Sequence, residues 1–392
     1  MLYRDAGTTG ESLSLQGLGC MRFTSHAGII DQAKAETVLS RALERGINYF
    51  DTAYTYPGNE ACLGRFLAKG NRGRMLVATK LPHYQCASSA DFDRIFDEEL
   101  ARLQTDHVDF YLMHMITSLT SWQRVREMGV EDWIARQRAS GRIRHVGFSF
   151  HGGIADFKQV VDAYPWEFCQ IQLNYLDAHA QAGLEGLRYA ARRGLPVIIM
   201  EPLRGGRLAV GLPEGARRAF AAVDPNLSPA GWGLQWLFDQ PEVTCVLSGM
   251  NEVSQVDENC DLASRVAAGS LSAEQLAAYD AAIEAIRAVE RVGCTGCGYC
   301  MPCPHGVDIP SCFRAWNAAA SDGWVRGFSD YVMTTSLKAQ PANAGKCVGC
   351  GRCARRCPQH IAIPQELARV RRGFEGVPYA AVMRFKGLKF KV

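Results

Sequence analysis

Three things are scarce in this 392-residue chain, and each scarcity removes a class of function. The first is charge of one sign: 43 Lys and Arg face 40 Asp and Glu, a formal net charge of +3. That balance argues against a nucleic-acid partner, because proteins that grip phosphate backbones carry a marked basic excess. The second is long apolar runs. None is long enough to cross a bilayer, so no membrane association is expected. The opening MLYRDAGTTGESLSLQG also lacks an apolar segment of signal-peptide length, and the chain is expected to be soluble and cytoplasmic. The third is a glycine-rich dinucleotide fingerprint, which does not follow the first strand-like run.

Cysteine, by contrast, is abundant, with 15 residues. In a long chain without an export signal, ligand chemistry is a better reading than disulfides. Eight of the cysteines fall in two runs. CTGCGYCMPCP holds Cys294, Cys297, Cys300 and Cys303, and CVGCGRCARRCP holds Cys347, Cys350, Cys353 and Cys357. The scattered ones, among them Cys20, Cys62, Cys86 and Cys169, read as small buried hydrophobes.

From residue 15 to about 265, short apolar runs alternate with helix-like segments. The runs are LQGLGC, INYFDT, MLVATK, VDFYLMH, IRHVGFS, FCQIQLN, LPVIIM and VTCVLSG. Each has strand length and tends to be β-branched or aromatic. The segments between them, such as DQAKAETVLSRALERG and SSADFDRIFDEELARLQ, open with a capping residue and repeat apolar residues at helical spacing. Eight strands over about 250 residues, with no dinucleotide fingerprint, predict an α/β protein of the (β/α)8 TIM-barrel class rather than a doubly wound sheet. Asp51, Lys80, His114, Ser149, Gln170 and Glu201 lie at the ends of the runs, where a barrel gathers them at one mouth. Beyond residue 270 the strands stop. LSAEQLAAYDAAIEAIRAVERVG predicts a long helix leading into the first cysteine run. The expected domains are therefore 1–270, the barrel, and 271–392, a small mainly helical module.

The second run has the C-x2-C-x2-C-x3-C-P spacing of bacterial iron–sulfur sites. Four soft thiolates suit a cluster, and zinc is the alternative. Gly349 and Gly351 permit the tight turn. The first run is one residue shorter, C-x2-C-x2-C-x2-C-P. In two-cluster ferredoxins the last cysteine of each run serves the other cluster. That rule joins Cys294, Cys297 and Cys300 to Cys357, and Cys347, Cys350 and Cys353 to Cys303. Cys312 reads as a spare or buried thiol. The closing MRFKGLKFKV alternates aromatic and basic residues; its Lys386, Lys389 and Lys391 read as a solvated strand-like tail, as a dock for an acidic electron carrier, or as a cover for the clusters.

Asp51 in INYFDT, Tyr56 in AYTYPG, Lys80 in ATKLP and His114 in VDFYLMHM resemble, in order and local setting, the catalytic tetrad of the aldo/keto reductases. The likeness spans roughly residues 1–265 and includes IRHVGFS, QIQLNY, EPLRGGRL and SGMNEVSQVDEN. It implies hydride transfer between NADP or NAD and a small-molecule carbonyl or alcohol, with Tyr56 as general acid. Reducing a carbonyl creates an alkoxide that needs a proton, and a nearby ammonium makes a phenol a better acid.

The likeness further implies that Ser149 and Gln170 hold the carboxamide, and that the Pro202–Leu208 loop meets the pyrophosphate. That loop includes Leu203, Arg204, Gly206 and Arg207. Ser248 and Gly249, which close the last strand, are further cofactor contacts on the same likeness, and Glu258 and Asn259 match adenine contacts. Three positions depart from the family pattern: Phe150 and His151 follow the serine where Asn is common, Met200 replaces an aromatic ring, and Gln255 replaces a 2′-phosphate arginine. His83, Tyr84 and Trp122 are candidates for the substrate pocket, or for packing. His145 and His179 read as ordinary residues.

The whole combination resembles the subfamily of aldo/keto reductases with a C-terminal 4Fe–4S ferredoxin-like domain, whose two clusters would serve electron transfer to a redox partner protein, redox sensing, or structure. Two other readings stand beside it. One is a redox-sensing regulatory subunit. The other is a flavin-mediated electron-transfer enzyme, since a barrel can hold FMN without a motif, although no motif indicates it here.

Overall fold

The computed structural model describes residues 1–26, 28–321, 323–336 and 340–389, with side chains through residue 384. All eight apolar runs are strands: β1 (Gln16–Gly19), β2 (Tyr49–Asp51), β3 (Leu76–Leu81), β4 (Val108–Ile116), β5 (Ile143–Phe150), β6 (Phe168–Gln172), β7 (Val197–Met200) and β8 (Val243–Ser248). Each pairs in parallel with the next, and β8 returns to β1, so the sheet closes into the expected barrel. Strands covered on both faces need continuous apolar sequence, which is why the runs were readable.

The barrel interior is filled by Tyr49, Ala78, Phe110, Leu112, Phe168, Ile198, Cys245 and Leu247, all buried. Gly17 on β1 is required by this packing. A Cβ there would come within 2.7 Å of the Cys245 sulfur and 3.0 Å of Leu247. An antiparallel ribbon, Tyr3–Asp5 with Ser12–Ser14, precedes the barrel, and its Leu13 joins the same core.

Three of the helices start at side-chain caps. Asp31 accepts the Lys34 N–H at 3.0 Å ahead of Gln32–Glu44. Ser88 and Asp91 form a capping box on Ser89–Leu103, as Ser272 and Gln275 do on Ala273–Val289.

The chain divides into two compact units. One comprises Met1–Pro202 with Gly231–Leu271, the other Leu203–Ala230 with Ser272–Val392. The second unit is helical around a core that includes Val307, Ile309, Phe313, Tyr331, Leu367, Val370 and Phe374. Within it, the helix Glu214–Val223 packs on Ala273–Val289, with the Phe220 and Tyr279 rings edge to face at 5.6 Å. Helices Ile309–Ser321 and Trp324–Tyr331 approach so closely that a Cβ on Gly327 would lie 2.4 Å from the Ala319 Cβ.

The strand-like reading of the C-terminal tail is corrected: Val377–Lys389 is helical. The side chains of Lys386 and Lys389, and all of Lys391, lie outside the described residues. Among the described residues no helix is long and apolar enough to cross a membrane.

Candidate active site and cysteine cavity

The C-terminal ends of β2, β3, β4 and β6 bring a charged cluster together. Lys80, fully buried on β3, places its Nζ 2.6 Å from Asp51 Oδ1 and 2.7 Å from the Thr52 carbonyl oxygen. The Gln170 amide donates to the other Asp51 oxygen at 3.2 Å. Burial raises the Asp51 carboxyl above its usual range, and Lys80 and Gln170 pull against that rise. Tyr56 sits in the loop after β2, its ring centre 5.5 Å from the Lys80 Nζ. The His114 ring meets the Tyr56 ring edge-on at 6.2 Å. The four residues of the sequence-derived tetrad therefore share one place. Burial, then the Lys80 charge and the nearby His151 and His83, push the His114 imidazole well below its ordinary range.

The backbone is irregular at this point. The pairing of β4 with β5 slips between Met113 and Ile116, and Met115 takes a φ of 60°. Its N–H donates to Ser149 Oγ at 2.9 Å. A bulge of this kind re-aims a strand end, here next to His114. Glu201, just past β7, also has a positive φ, of 56°.

The other candidates fall in separate places. Gln170 is buried on β6, and its Oε1 has no hydrogen-bond partner among the described residues. Met200 ends β7 half-buried, and Pro202 is buried. Ser248 is buried at the end of β8, where its Oγ accepts from the buried Asn259 at 3.3 Å; Gly249 is exposed beside it. Gln255 caps its own helix, accepting from the Asn251 and Glu252 N–H groups, and Glu258 is exposed on that helix. His83 is buried, and burial pushes its imidazole down to about 4. Tyr84 lies 6.2 Å from the His114 ring. Trp122 belongs to packing: it is fully buried against Trp166 at 4.6 Å and Tyr164 at 5.4 Å. His145 is tied to Glu167 at 3.1 Å.

Leu203, Arg204, Gly206 and Arg207 belong to the second unit. The sequence offers both arginines to phosphate; in the structure Glu290 takes both, at 2.8 Å from Arg204 and 3.0 Å from Arg207. Arg207 also donates to the Val292 and Cys294 carbonyl oxygens at 3.4 and 3.3 Å.

Sequence reasoning passed over a polar chain that follows β6. His151 meets Gln181 at 3.2 Å, Gln181 donates to Gln172 at 3.0 Å, and Gln172 and Asn174 both donate to Asp177. The signal was available: Gln170, Gln172 and Asn174 alternate along the strand end, a period that sets side chains on one face.

In the second unit, Cys294, Cys297, Cys300 and Cys357 line one cavity, whose apolar wall includes Ile309, Phe313 and Ile361. Three of these thiols come from the first run and one from the second, the crosswise set. Burial first, then the neighbouring thiols Cys294, Cys297 and Cys357, pushes Cys300 up. Burial raises Cys353 too, against the pull of backbone hydrogen bonds. The two runs share a backbone device, with Gly296 and Gly298 at φ 71° and 81°, and Gly349 and Gly351 at 76° and 72°. Among the described residues no three His, Cys, Asp or Glu side chains are gathered as for a single metal ion. The thiols instead surround a space.

A closed parallel barrel with a buried Lys–Asp pair at its mouth precedes the paired cysteine runs. The comparison with known proteins names the class. Residues 17–284 match the model of the aldo/keto reductase family, and residues 293–362 that of a 4Fe–4S dicluster domain. The chain belongs to the aldo/keto reductase family. It is 29% identical to L-galactose dehydrogenase of Arabidopsis thaliana, over 72% of this chain and 95% of that one. Among solved structures it resembles aldo-keto reductase AKR11C1 of Bacillus halodurans in its holo form (25% identity, TM-score 0.60, 72% of this chain and 96% of that one). It shares its fold with an aldo/keto reductase of Klebsiella pneumoniae solved with NADP and acetate (24% identity, TM-score 0.57, 70% and 93%).

Proposed function

We propose that the protein interconverts a small-molecule carbonyl and its alcohol with NADP or NAD, in a barrel domain over 1–270, and carries two 4Fe–4S clusters in 271–392. The observation that carries the first half is Lys80. Its ammonium is held 2.6 Å from Asp51 and stands 5.5 Å from the centre of the Tyr56 ring. The nicotinamide, when bound, supplies or takes the hydride.

The chain's own part is the proton. In reduction the Tyr56 hydroxyl gives its proton to the carbonyl oxygen as negative charge develops there; in oxidation the phenolate takes it back from the alcohol. Lys80 favours the phenolate, and Asp51 and the Thr52 carbonyl fix Lys80. His114, kept neutral by burial, orients the oxygen through its ring N–H. Gln170 Oε1, buried and without a partner among the described residues, fits an amide N–H donor such as the nicotinamide carboxamide, with Ser149 beside it. An L-galactose dehydrogenase among the relatives agrees with carbonyl–alcohol chemistry.

For the clusters, four thiols around an apolar-walled cavity support Cys294, Cys297, Cys300 and Cys357 as one ligand set. Cys303, Cys347, Cys350 and Cys353 form the other.

The test is Tyr56→Phe. Turnover is expected to fall by roughly 10²–10⁴-fold, the usual contribution of a positioned acid, while dinucleotide binding by fluorescence titration stays unchanged. Wild-type turnover in the variant would remove Tyr56 from the mechanism.

A further inference from the structure

The second cysteine run stands apart in charge and exposure. Cys350 is the one exposed cysteine among the described residues. Around it Lys346, Val348, Gly349, Arg352, Arg355 and Arg356 are exposed, Val348 at 63%. None of the four basic side chains makes an ion pair among the described residues, whereas most surface arginines of the barrel do. No Asp or Glu occurs from residue 341 to 365. Nearby Glu375 is occupied, its Oε1 accepting from the Gly345 N–H at 2.8 Å, from Asn343 at 3.1 Å and from Tyr331. The first run is the reverse: residues 292–304 hold no charged side chain, and only Pro302 and Pro304 are exposed there.

We infer that the face around Cys350 is the docking surface for an acidic one-electron carrier protein. The inference rests on the cluster reading above. An unpaired basic patch around an exposed valine is complementary to a carboxylate-rimmed partner. It sits directly over a thiol ligand, so docking brings the partner's redox centre to the cluster edge. One electron passes per encounter: the reduced carrier loses it and the cluster held by Cys303, Cys347, Cys350 and Cys353 gains it, or the reverse. No bond forms or breaks.

The test uses the full-length holoprotein and an acidic flavodoxin as probe, following electron exchange by stopped flow across ionic strength. The wild-type rate constant is expected to drop steeply with salt. Reversing the patch with Arg352→Glu, Arg355→Glu and Arg356→Glu together should lower it about ten-fold or more at low salt and flatten its salt dependence. Iron and sulfide content, measured on both proteins, keeps the two readings apart. Absent iron and sulfide defeats the cluster reading itself. Full iron and sulfide with a salt-independent wild-type rate, or with equal rates in the variant, overturns the docking surface. Salt-dependent capture of duplex DNA or anionic vesicles, with no response to flavodoxin, overturns it in favour of those partners.

Discussion

The two cysteine runs have nearly the same spacing and the same pair of left-handed glycines, yet their surroundings differ at almost every point. The first is walled by Ile309, Phe313 and Ile361, and its entry is pinned by the buried Asn317, which accepts from the Arg291 and Val292 N–H groups. Its Cys294 carbonyl is held by Arg207. The second is entered through a Tyr331–Glu375 contact and then opens to water among arginines that make no ion pair among the described residues. Nearly equal spacing in unequal environments teaches that the order of thiols along the chain does not decide how they are presented: one run lies among apolar walls, the other opens to water. Hydrogen bonding, charge and solvent exposure are the levers by which a protein tunes such a centre.

Three substitutions sharpen or break this contrast. The largest effect is expected from Cys357→Ala. This residue belongs to the second run by sequence and to the first cavity by position, so the variant should lose about half of its iron, with the exposed centre retained. Iron analysis with electron paramagnetic resonance would check this; loss of the exposed centre instead would refute the crosswise sets. Next is Phe313→Ala, which empties space beneath the first run. It should cost about 3–5 kcal/mol of stability, read from loss of visible absorbance in urea. The smallest is Val348→Ala on the open run, expected within about 0.5 kcal/mol in the same assay. Equal costs for the two would erase the distinction between a buried and an open centre.

Much of the barrel was legible because its physics is local. A parallel strand covered on both faces must be a continuous apolar run, and each of the eight runs became one. Asp51, Lys80, His114 and Gln170 were found because a barrel places strand ends together whatever their separation in sequence. What was hidden depends on pairing that no periodicity records. Glu290 reaches Arg204 and Arg207 across 86 and 83 residues, and no local pattern links them. The His151–Gln181 contact needs the loop after β6 to fold back. Trp122 was open between pocket and core because its partners, Tyr164 and Trp166, come from a distant loop. The tail was misread because alternating aromatic and basic residues suit a strand as readily as an exposed helix.

The segment Leu203–Ala230 carries a practical consequence for anyone who wishes to cut this protein in two. The polypeptide leaves the barrel unit at Pro202, returns at Gly231 and leaves again at Leu271. A gene truncated after Leu271 would encode Glu214–Val223 without the helix it packs on, leaving Phe220 to face solvent where Tyr279 should be. Such a fragment is expected to be recovered as aggregate, whereas a stop codon placed beyond Val289 keeps that helix pair whole.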